Sequence, residues 1–460
     1  MTDLAVPAQA GAFFAPGSDA FAAATDRAPS FFGATPDYVG LVRPGSATEL
    51  AATARFARAE RLVVLRLYND SSVGARLSGA GRTLIVDLGG MNRILEVNPK
   101  YAYARVEPGV SYAQLSDHLV RNALPLLVDS ERDPGASIAG SIFSKGFGYT
   151  PYGDHMMVQC GAEYVLPDGD RLRTGMGAMT DNRAWQLYKY ALGPYADGLA
   201  LQSDLMIPAQ TGIWLMGPAP AFRPFILDLA DENGLAAAIE ALRPLKIANL
   251  LPGTIALMHR DFDARRSGQA PRTAAWRLHG ALYGLPSVVD LGMNAVQASL
   301  GTITGARLLA PEAVAADPLA REQVSLMAGQ AGISAVRFSG PGQPHSASLG
   351  FVAPVEGSAA SAMLELAGRA VAENGLPLLT EFAILGRSLL QTIHMPYDRR
   401  DAATVSALIA CARSLIPAMG EAGYGLAHES PEFCLLAQSI LAASQKPLGA
   451  LERRIMGAFT

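Results

Sequence analysis

The stretch GYTPYGDHMMVQCGAEYVLPDGDRLRTGMGAM, residues 148–179, decides how the sequence is interpreted. Its second half predicts a β-hairpin, because strand-like residues 163–166 and 171–174 flank the turn Pro-Asp-Gly-Asp at 167–170. Its first half ends a Gly-, Ser- and aromatic-rich segment that starts at Asp133. Such a long segment of small residues is usually functional or disordered. If ordered, it would let the backbone approach a bulky ligand closely. A structural Ω-type loop is the alternative.

The region before this stretch predicts helices alternating with strands. Ser46 and Glu49 stand three residues apart before an Ala- and Leu-rich run, which is the signature of a capping box. Residues 1–37 show no clear periodicity and are expected to form an arm that packs on the rest. The expected elements are helices at 46–60 and 111–122 and strands at 62–65, 83–88 and 102–106, with a polar turn at 68–74.

The second half of the chain has a different composition. Long Ala- and Leu-rich helical runs alternate with short strands after residue 217, so a domain boundary is placed there. The last strong helix is expected to run from Asp401, its N-cap, to about Ile416, because Pro417 should interrupt it.

Composition excludes several classes of protein. With 460 residues and 50% hydrophobic residues, the chain is expected to fold into two or three domains rather than remain disordered. A net charge of −4 argues against nucleic-acid binding. The three cysteines are too few for a disulfide framework or a Cys-type zinc site, and nothing clusters as metal ligands. Neither a signal peptide nor a membrane span is recognised, so a cytoplasmic protein is expected.

The quoted stretch resembles the FAD domain of the vanillyl-alcohol oxidase / p-cresol methylhydroxylase family. Four other blocks share the resemblance and follow the family's order across residues 40–218: VDLGGMNRILEVN (86–98), VEPGVSY (106–112), LGPYADGL (192–199) and GIWLM (212–216). The resemblance implies an α+β protein. A two-subdomain FAD-binding domain would span 1–217, with the tail 421–460 returning to it, and an α+β cap domain for the substrate would span 218–420.

The resemblance also implies which residues contact the flavin. They form a pyrophosphate loop after the first strand and two further segments. These residues are Tyr68, Asn69, Asp70, Ser71, Ser72, Val73, Gly74, Pro134, Gly135, Ala136, Ser137, Gly140, Ser141, Tyr149, Tyr152, Gly153, Asp154, His155 and Ile207. Successive backbone N–H groups in small-residue turns form concavities that bind anions, which is consistent with this assignment. Tyr68 and Ser72 stand where the family usually has Gly.

The resemblance fails at the family's catalytic positions. Aligned without gaps, the two tyrosines and the arginine that bind phenolate fall on Val73, Ala427 and His428. The Asp beside the flavin falls on Arg132, with Asp133 one residue away. Val73 and Ala427 cannot donate a hydrogen bond to a phenolate, so phenol oxidation by the family mechanism is not expected.

The His that attaches FAD covalently in many family members falls on Gln391, so the expected FAD is non-covalent. Val73, Gln391 and Ala427 are expected to line the substrate pocket. The catalytic candidates are Arg132, Asp133, Tyr149 and His428. Arg132 and Asp133 could instead form a loop salt bridge, and His428 could be an ordinary surface residue. His394 lies three residues beyond Gln391 on an expected strand, hence on the opposite face, and a structural role is favoured.

By analogy with the family, the expected function is FAD-dependent oxidation of an aromatic or benzylic-type alcohol, with hydride transfer to flavin N5 in a rebuilt pocket. One alternative is a non-redox reaction on the same fold, such as elimination, isomerisation or cyclisation. Another is a degenerate subunit that pairs with an active homologue. The expected partners are a small aromatic molecule and a second copy of the chain, with a paralogous or cytochrome subunit as the alternative to the homodimer. No nucleic acid or membrane is expected.

Overall fold

The structure is a computed structural model that describes residues 4–69, 73–74, 81–331, 345–444 and 446–458. The chain folds as two compact units. The first consists of Met1–Phe147, Asp154–Gly217 and Cys434–Thr460, and the second of Gly148–Gly153 and Pro218–Phe433. Both units mix helices and strands, which confirms the expected α+β class.

One five-stranded sheet of the first unit is built around three parallel strands. Its strand order is β1-β2-β5-β3-β4, and β2, β5 and β3 run parallel. Apolar residues on its strands pack against the first helix in a buried cluster. The elements are β1 (Ala12–Phe14), α1 (Asp19–Arg27), β2 (Asp37–Arg43), α2 (Ala47–Ala59), β3 (Val63–Leu67), β4 (Val73–Gly74) and β5 (Arg82–Asp87). The described part of the arm expected at 1–37 packs on this sheet, but it contains β1 and α1, which the sequence analysis did not predict.

The predicted capping box forms at the start of α2. The Ser46 hydroxyl accepts a hydrogen bond from the Glu49 amide at 3.2 Å. The Glu49 carboxylate in turn accepts from the Gly45 amide at 2.8 Å. Two N–H groups that the helix cannot satisfy itself are therefore paired.

The second sheet of the first unit is antiparallel, with strand order β6-β7-β10-β8-β9. The predicted hairpin is β8 with β9, in which Glu163 lies opposite Arg173. Two five-stranded sheets in one unit agree with the two subdomains that the resemblance implied. The elements are β6 (Ile94–Asn98), β7 (Tyr103–Val106), α3 (Tyr112–Arg121), α4 (Ile138–Phe143), α5 (His155–Val158), β8 (Gln159–Val165), β9 (Arg171–Arg173) and β10 (Ile207–Trp214).

The Gly- and Ser-rich segment 133–153 is ordered and contains a helix. All six residues of α4 are buried, and the Ser137 hydroxyl caps the helix by accepting from the Gly140 amide at 2.9 Å. The expectation of one long loop is therefore wrong for its central part. The helix escapes a periodicity analysis because its sequence, IAGSIF, has no polar face.

The second unit is built on one antiparallel sheet of eight strands. Its order is β14-β11-β13-β12-β16-β17-β15-β18. The strands are β11 (Ala221–Leu229), β12 (Ile255–His259), β13 (Trp276–Gly284), β14 (Arg307–Leu308), β15 (His345–Pro354), β16 (Leu379–Leu385), β17 (Ser388–Tyr397) and β18 (Gly425–Glu429). The helices are α6 (Glu232–Ile247), α7 (Arg260–Ser267), α8 (Pro286–Leu300), α9 (Pro311–Ala316), α10 (Pro318–Met327), α11 (Gly357–Glu373) and α12 (Ala402–Glu421).

Two boundaries differ from the sequence expectations. Asp401 caps α12 as predicted, but the helix continues through Pro417 to Glu421, where buried Met419 anchors its last turn. Residues 421–433 were expected to return to the FAD-binding domain. They group with the second unit because β18 pairs with β15, and the returning tail is α13 (Cys434–Leu441) and α14 (Lys446–Ala458).

Among the described residues, α12 is the one helix long and apolar enough to cross a membrane, with a mean hydropathy of 1.5. It packs against α11, β17 and β18 of the second unit. A core helix of this kind passes the same length and hydropathy test, so the finding is weak evidence for a membrane span.

Candidate functional site

Two of the segments expected to bind FAD contact each other in the first unit. The Asn69 side-chain amide, just after β3, donates a hydrogen bond to the Gly135 carbonyl at 2.9 Å. Asp70, Ser71 and Ser72 lie outside the described residues. Val73 and Gly74 form β4, which pairs with the end of β3. Asn69, just after the carboxyl end of a parallel strand, is therefore held against the turn that precedes α4.

Gly89 lies close to Asn69, where a side chain would be crowded. A Cβ on Gly89 would lie 3.1 Å from the Asp87 carboxylate and 3.6 Å from the Asn69 Cα. Asp87 itself is buried and accepts hydrogen bonds from Arg27 at 2.7 Å and from Arg43 at 2.9 Å. The carboxylate fixes the chain where Gly89 allows two backbone segments to approach.

Tyr68, which replaces a usual Gly, does not point into solvent. Its side chain is 1% exposed, and its hydroxyl has no hydrogen-bond partner among the described residues. Burial raises the pKa of this hydroxyl, and the nearby Arg66 partly opposes the rise. A buried hydroxyl without a partner is costly unless a bound group satisfies it. A buried hydroxyl without a partner among the described residues fits a bound group with polar atoms near Tyr68.

The second expected segment is tied down by short local hydrogen bonds. The exposed Asp133 carboxylate accepts from the Gly135 amide at 2.8 Å, and the Ala136 amide donates to the Asp133 carbonyl at 3.0 Å. Ser137 donates to the Pro108 carbonyl at 2.5 Å. Asp133 therefore shapes the turn through Pro134 that presents Gly135 to Asn69. Arg132, just before this turn, is half-buried.

His155 lies at the centre of a buried polar cluster, which we call the His155 cluster and define as Tyr112, Asp129, Glu131, Ser141 and His155. The ring donates from Nε2 to the Asp129 carboxylate at 2.7 Å. Its Nδ1 lies 2.7 Å from the Ser141 hydroxyl and 3.0 Å from the Tyr112 hydroxyl. Ser141 also donates to the Glu131 carboxylate. Asp129, Glu131 and Tyr112 were missed by the sequence analysis, which expected His155 and Ser141 only as flavin contacts.

Burial changes the acidity of two members of the His155 cluster. The pKa of Glu131 is raised by burial, while His155 and the Ser141 hydrogen bond oppose the rise and Asp133 and Asp129 add to it. The pKa of Tyr112 is raised well above its usual value by burial and by the neighbouring Glu131. A perturbed carboxyl group in a hydrogen-bonded chain is a candidate for proton transfer.

The remaining FAD candidates of the first unit lie at element ends. Asp154 caps α5 by accepting from the Met157 amide at 3.1 Å, and this fixes His155 at the first helical position. Ile207 begins β10 opposite Val165 of β8.

Tyr149, Tyr152 and Gly153 belong to a closed turn that groups with the second unit. The Gly148 amide donates to the Gly153 carbonyl at 2.9 Å, and the Tyr152 amide donates to the Thr150 hydroxyl at 3.0 Å. A Cβ on Gly153 would lie 2.6 Å from the Thr254 hydroxyl. Tyr149 is buried and Tyr152 half-buried, so the turn packs on the loop before β12.

Gln391, the position of the family's linking His, lies fully buried in β17. Its amide donates to the Thr380 hydroxyl at 3.3 Å, and its carbonyl oxygen has no partner among the described residues. His394 extends from the same strand and contacts the Glu381 carboxylate at 3.1 Å while stacking on Phe262. These contacts agree with the structural role favoured for His394.

Ala427 and His428 lie in β18, at an irregularity of the edge. His428 pairs with Gly350 and Leu426 with Phe351, so the register shifts at Ala427. Both are half-buried. Such bulges redirect side chains, and here the shift occurs at Ala427, where the resemblance implied a tyrosine in the family.

In the part of the chain that the structure describes, no three His, Cys, Asp or Glu side chains are arranged to hold a metal ion.

Comparison with known proteins identifies the cofactor class. The FAD binding domain family matches residues 39–175. The 4-cresol dehydrogenase (hydroxylating) flavoprotein subunit of Pseudomonas putida is 29% identical over 397 residues, which cover 81% of this chain and 76% of that protein. The structure of 4-ethylphenol oxidase from Gulosibacter chungangensis, in complex with isoeugenol, superposes with a TM-score of 0.87 at 26% identity. It covers 95% of this chain and 90% of the oxidase.

A third relative is named as a decarboxylase rather than as an oxidase or dehydrogenase. The 1'-carboxy-chondrochloren decarboxylase of Chondromyces crocatus is 29% identical over 283 residues, 61% of this chain and 51% of that protein. The chain therefore spans about half the length of this decarboxylase.

Proposed function

We propose that this chain, which is a divergent flavoprotein of the vanillyl-alcohol oxidase / p-cresol methylhydroxylase family, holds FAD without a covalent bond and oxidises an aromatic or benzylic-type alcohol. Bound FAD supplies the acceptor for the hydride and its two electrons. The first unit would bind FAD at the end of β3, where Asn69 contacts Gly135, and the second unit is the proposed cap domain.

The observation that carries this proposal is that Val73, Ala427 and His428 stand where the resemblance places the family's phenolate-binding residues, while residues 39–175 match the FAD binding domain family. Val73 and Ala427 present no side-chain donor, and His428 is a weaker stabiliser of an oxyanion than a guanidinium. A substrate without an ionised phenol therefore fits these positions better. Arg132, Tyr149 and His428 are the residues proposed to orient it, since Asp133 is occupied in the turn.

The proposal is tested first by the colour of the purified protein. Acid precipitation should release all yellow flavin into the supernatant, because Gln391 cannot form the covalent bond. The holoenzyme is then mixed anaerobically with 4-methoxybenzyl alcohol or with p-cresol. The alcohol should bleach the flavin and p-cresol should not. Faster bleaching by p-cresol, or flavin retained in the pellet, would contradict the proposal.

Arg132 gives a sharper test of the pocket. If its half-buried guanidinium faces the substrate, Arg132→Ala should raise KM about tenfold or more for an alcohol that carries a carboxylate, and less for a neutral one. Arg121→Ala, which removes an exposed guanidinium from α3, is the matched control and should leave both values unchanged. Equal KM values for wild type and Arg132→Ala would remove Arg132 from the pocket.

Decarboxylation is the second candidate, favoured by the similarity to the chondrochloren decarboxylase. A carboxylated aromatic substrate would then lose CO2 without net flavin reduction. Mass spectrometry of the products under anaerobic conditions, with the flavin absorbance followed in parallel, separates the two candidates. Product formed with the flavin still oxidised would favour decarboxylation. One equivalent of bleaching for each carbonyl formed would favour alcohol oxidation.

We also propose a homodimer, by analogy with the family. Light scattering coupled to gel filtration would measure the molecular mass in solution directly. A monomer at micromolar concentration would contradict the proposed homodimer.

A further inference from the structure

The His155 cluster brings two carboxyl groups, Asp129 and Glu131, to the imidazole of His155 through hydrogen bonds. Its other two members, Ser141 and Tyr112, carry neutral hydroxyls. Asp129 and His155 are 4% and 0% exposed, which leaves little water to stabilise an isolated charge. The carboxylates and the imidazole are groups that can bind a further proton entering the cluster.

The hydrogen bonds define a path for that proton. His155 Nε2 is committed to Asp129, so exchange occurs at Nδ1. Ser141 Oγ bridges Nδ1 and the Glu131 carboxylate, because it contacts both. A hydroxyl can donate to one neighbour while accepting from the other, so it can pass a proton between them. Tyr112 donates to Nδ1 when the ring is neutral.

The path has one accessible end. Tyr112, Asp129, Ser141 and His155 are buried, while Glu131 is half-buried. Glu131 adjoins Arg132, where the family's flavin-side Asp would fall. A Cβ on Gly146 would overlap both the Glu131 carboxylate and the Ser141 hydroxyl. The glycine therefore makes room for this contact.

We propose that Glu131 is the base that accepts the hydroxyl proton of the substrate, and that Glu131 and His155 share this proton through Ser141. The inference rests on the proposed alcohol oxidation. As the substrate O–H bond breaks, an O–H bond forms on Glu131. That proton moves to Ser141 Oγ while the original Ser141 proton forms an N–H bond at His155 Nδ1. The resulting imidazolium is held by Asp129, and bound FAD would accept the hydride, which carries both electrons.

The charges that face Glu131 set the direction of its pH response. His155 and the Ser141 hydroxyl favour the carboxylate, whereas burial, Asp133 and Asp129 favour the neutral acid and raise the pKa of Glu131 overall. Removing the Ser141 hydroxyl should therefore raise this pKa further. As the pH is lowered, the rate of flavin reduction by the alcohol should then begin to fall at a higher pH than in wild type. This fall at low pH is the acid limb of the pH profile.

The kinetic test is anaerobic stopped-flow reduction of the holoenzyme across pH. Glu131→Gln should slow flavin reduction about a hundredfold or more and flatten the acid limb. Glu131→Asp should recover part of the rate. Ser141→Ala should shift the acid limb upward, which a merely structural role would not do. Glu60→Gln, at an exposed carboxyl after α2, is the control and should match wild type. An unchanged rate and pH profile in Glu131→Gln would overturn the proposal.

A second measurement does not depend on turnover. Infrared difference spectra of the resting holoenzyme, taken across a pH titration, should show a protonated carboxyl band that persists above the usual range of a glutamate. Glu131→Gln should remove this band, and Ser141→Ala should move its midpoint to higher pH. If the band is absent in wild type or survives in Glu131→Gln, the proposal that Glu131 and His155 share a proton is wrong. If the band behaves as expected and no alcohol reduces the flavin, the proposed function fails and the proton site stands.

Discussion

Each unit of the protein buries a set of charged and polar side chains, and the two sets differ in kind. In the first unit, the His155 cluster joins two carboxyl groups to one imidazole through hydroxyls. In the second unit, an arginine network pairs Arg266 with Glu322 at 2.7 Å, both nearly fully buried, and Arg277 with Asp228 at 2.7 Å. Arg272 and Asp263 extend it.

This difference indicates which of the two sets of buried residues can take part in proton transfer. A guanidinium stays charged at any pH the fold survives, so the arginine network holds fixed charges that position α7 and α10. Burial raises the pKa of Glu131 and brings it closer to neutral pH, so the His155 cluster can change protonation state without unfolding. We therefore expect substitutions in the arginine network to change stability and substitutions in the His155 cluster to change pH profiles.

The largest effect is expected for Arg266→Met. The substitution leaves the Glu322 carboxylate buried without its guanidinium and should lower the free energy of unfolding by about 3–5 kcal/mol. Urea denaturation followed by circular dichroism measures it. The double variant Arg266→Met/Glu322→Leu should recover most of the loss, since it removes both charges. A single variant as stable as wild type would show that the network is not structural.

Lys246 is a buried cation of the second unit that, unlike the arginines, can lose its proton. Its substitution is expected to give the next largest change in stability. Its ammonium donates to the Gly253 carbonyl at 2.7 Å, and burial lowers its pKa from 10.5 to about 8. The folded state therefore binds fewer protons than the unfolded state between these values. Stability should rise with pH across that window and stay at its lower level below pH 8.

Lys246→Met tests this directly. At pH 7 the variant avoids a penalty of about 3 kcal/mol for the buried charge, partly offset by the lost hydrogen bond, and should be more stable than wild type. The difference in stability between the variant and wild type should become smaller as the pH approaches 10.5. Equal slopes of stability against pH for the two proteins would contradict the lowered pKa.

Gly146→Ala probes the His155 cluster through packing alone. The added methyl would overlap the Glu131 carboxylate and the Ser141 hydroxyl, so it should cost about 1–3 kcal/mol and shift the acid limb of flavin reduction. Gly198→Ala is the control, because a Cβ there would meet nothing within 4 Å. If Gly146→Ala lowers the stability but leaves the pH profile unchanged, the glycine is needed for packing and not for proton transfer.

The same contrast explains what the sequence could reveal. The capping box at Ser46 and the hairpin β8–β9 depend on residues close together in the chain, and both were predicted. The His155 cluster was missed because its contacts join residues 14, 26 and 43 positions apart, which no local periodicity records. The alternation of acidic residues at Asp129, Glu131 and Asp133 was the available signal.

Other errors have equally local causes. The apolar helix α4 has no polar face, and α12 passes through Pro417 because buried residues on both sides of it hold the helix. The family resemblance named Val73, Gln391 and Ala427 as pocket residues, which stays a prediction, but it could not show that Gln391 is held by Thr380.

Two buried tyrosines of the first unit offer the smallest and sharpest test. The Tyr164 hydroxyl donates to Asp197 at 2.9 Å, whereas the Tyr68 hydroxyl has no partner among the described residues. If bound FAD satisfies the Tyr68 hydroxyl, Tyr68→Phe should weaken FAD binding about fivefold, as expected for one neutral hydrogen bond. Titration of the apoprotein with FAD, followed by flavin fluorescence, measures this affinity. Tyr164→Phe should lower the free energy of unfolding by about 1–3 kcal/mol instead, because it leaves Asp197 short of a donor, with little change in FAD affinity. An unchanged FAD affinity in Tyr68→Phe would mean that the hydroxyl faces no part of the flavin, and the tyrosine would then be a packing residue that tolerates its buried hydroxyl.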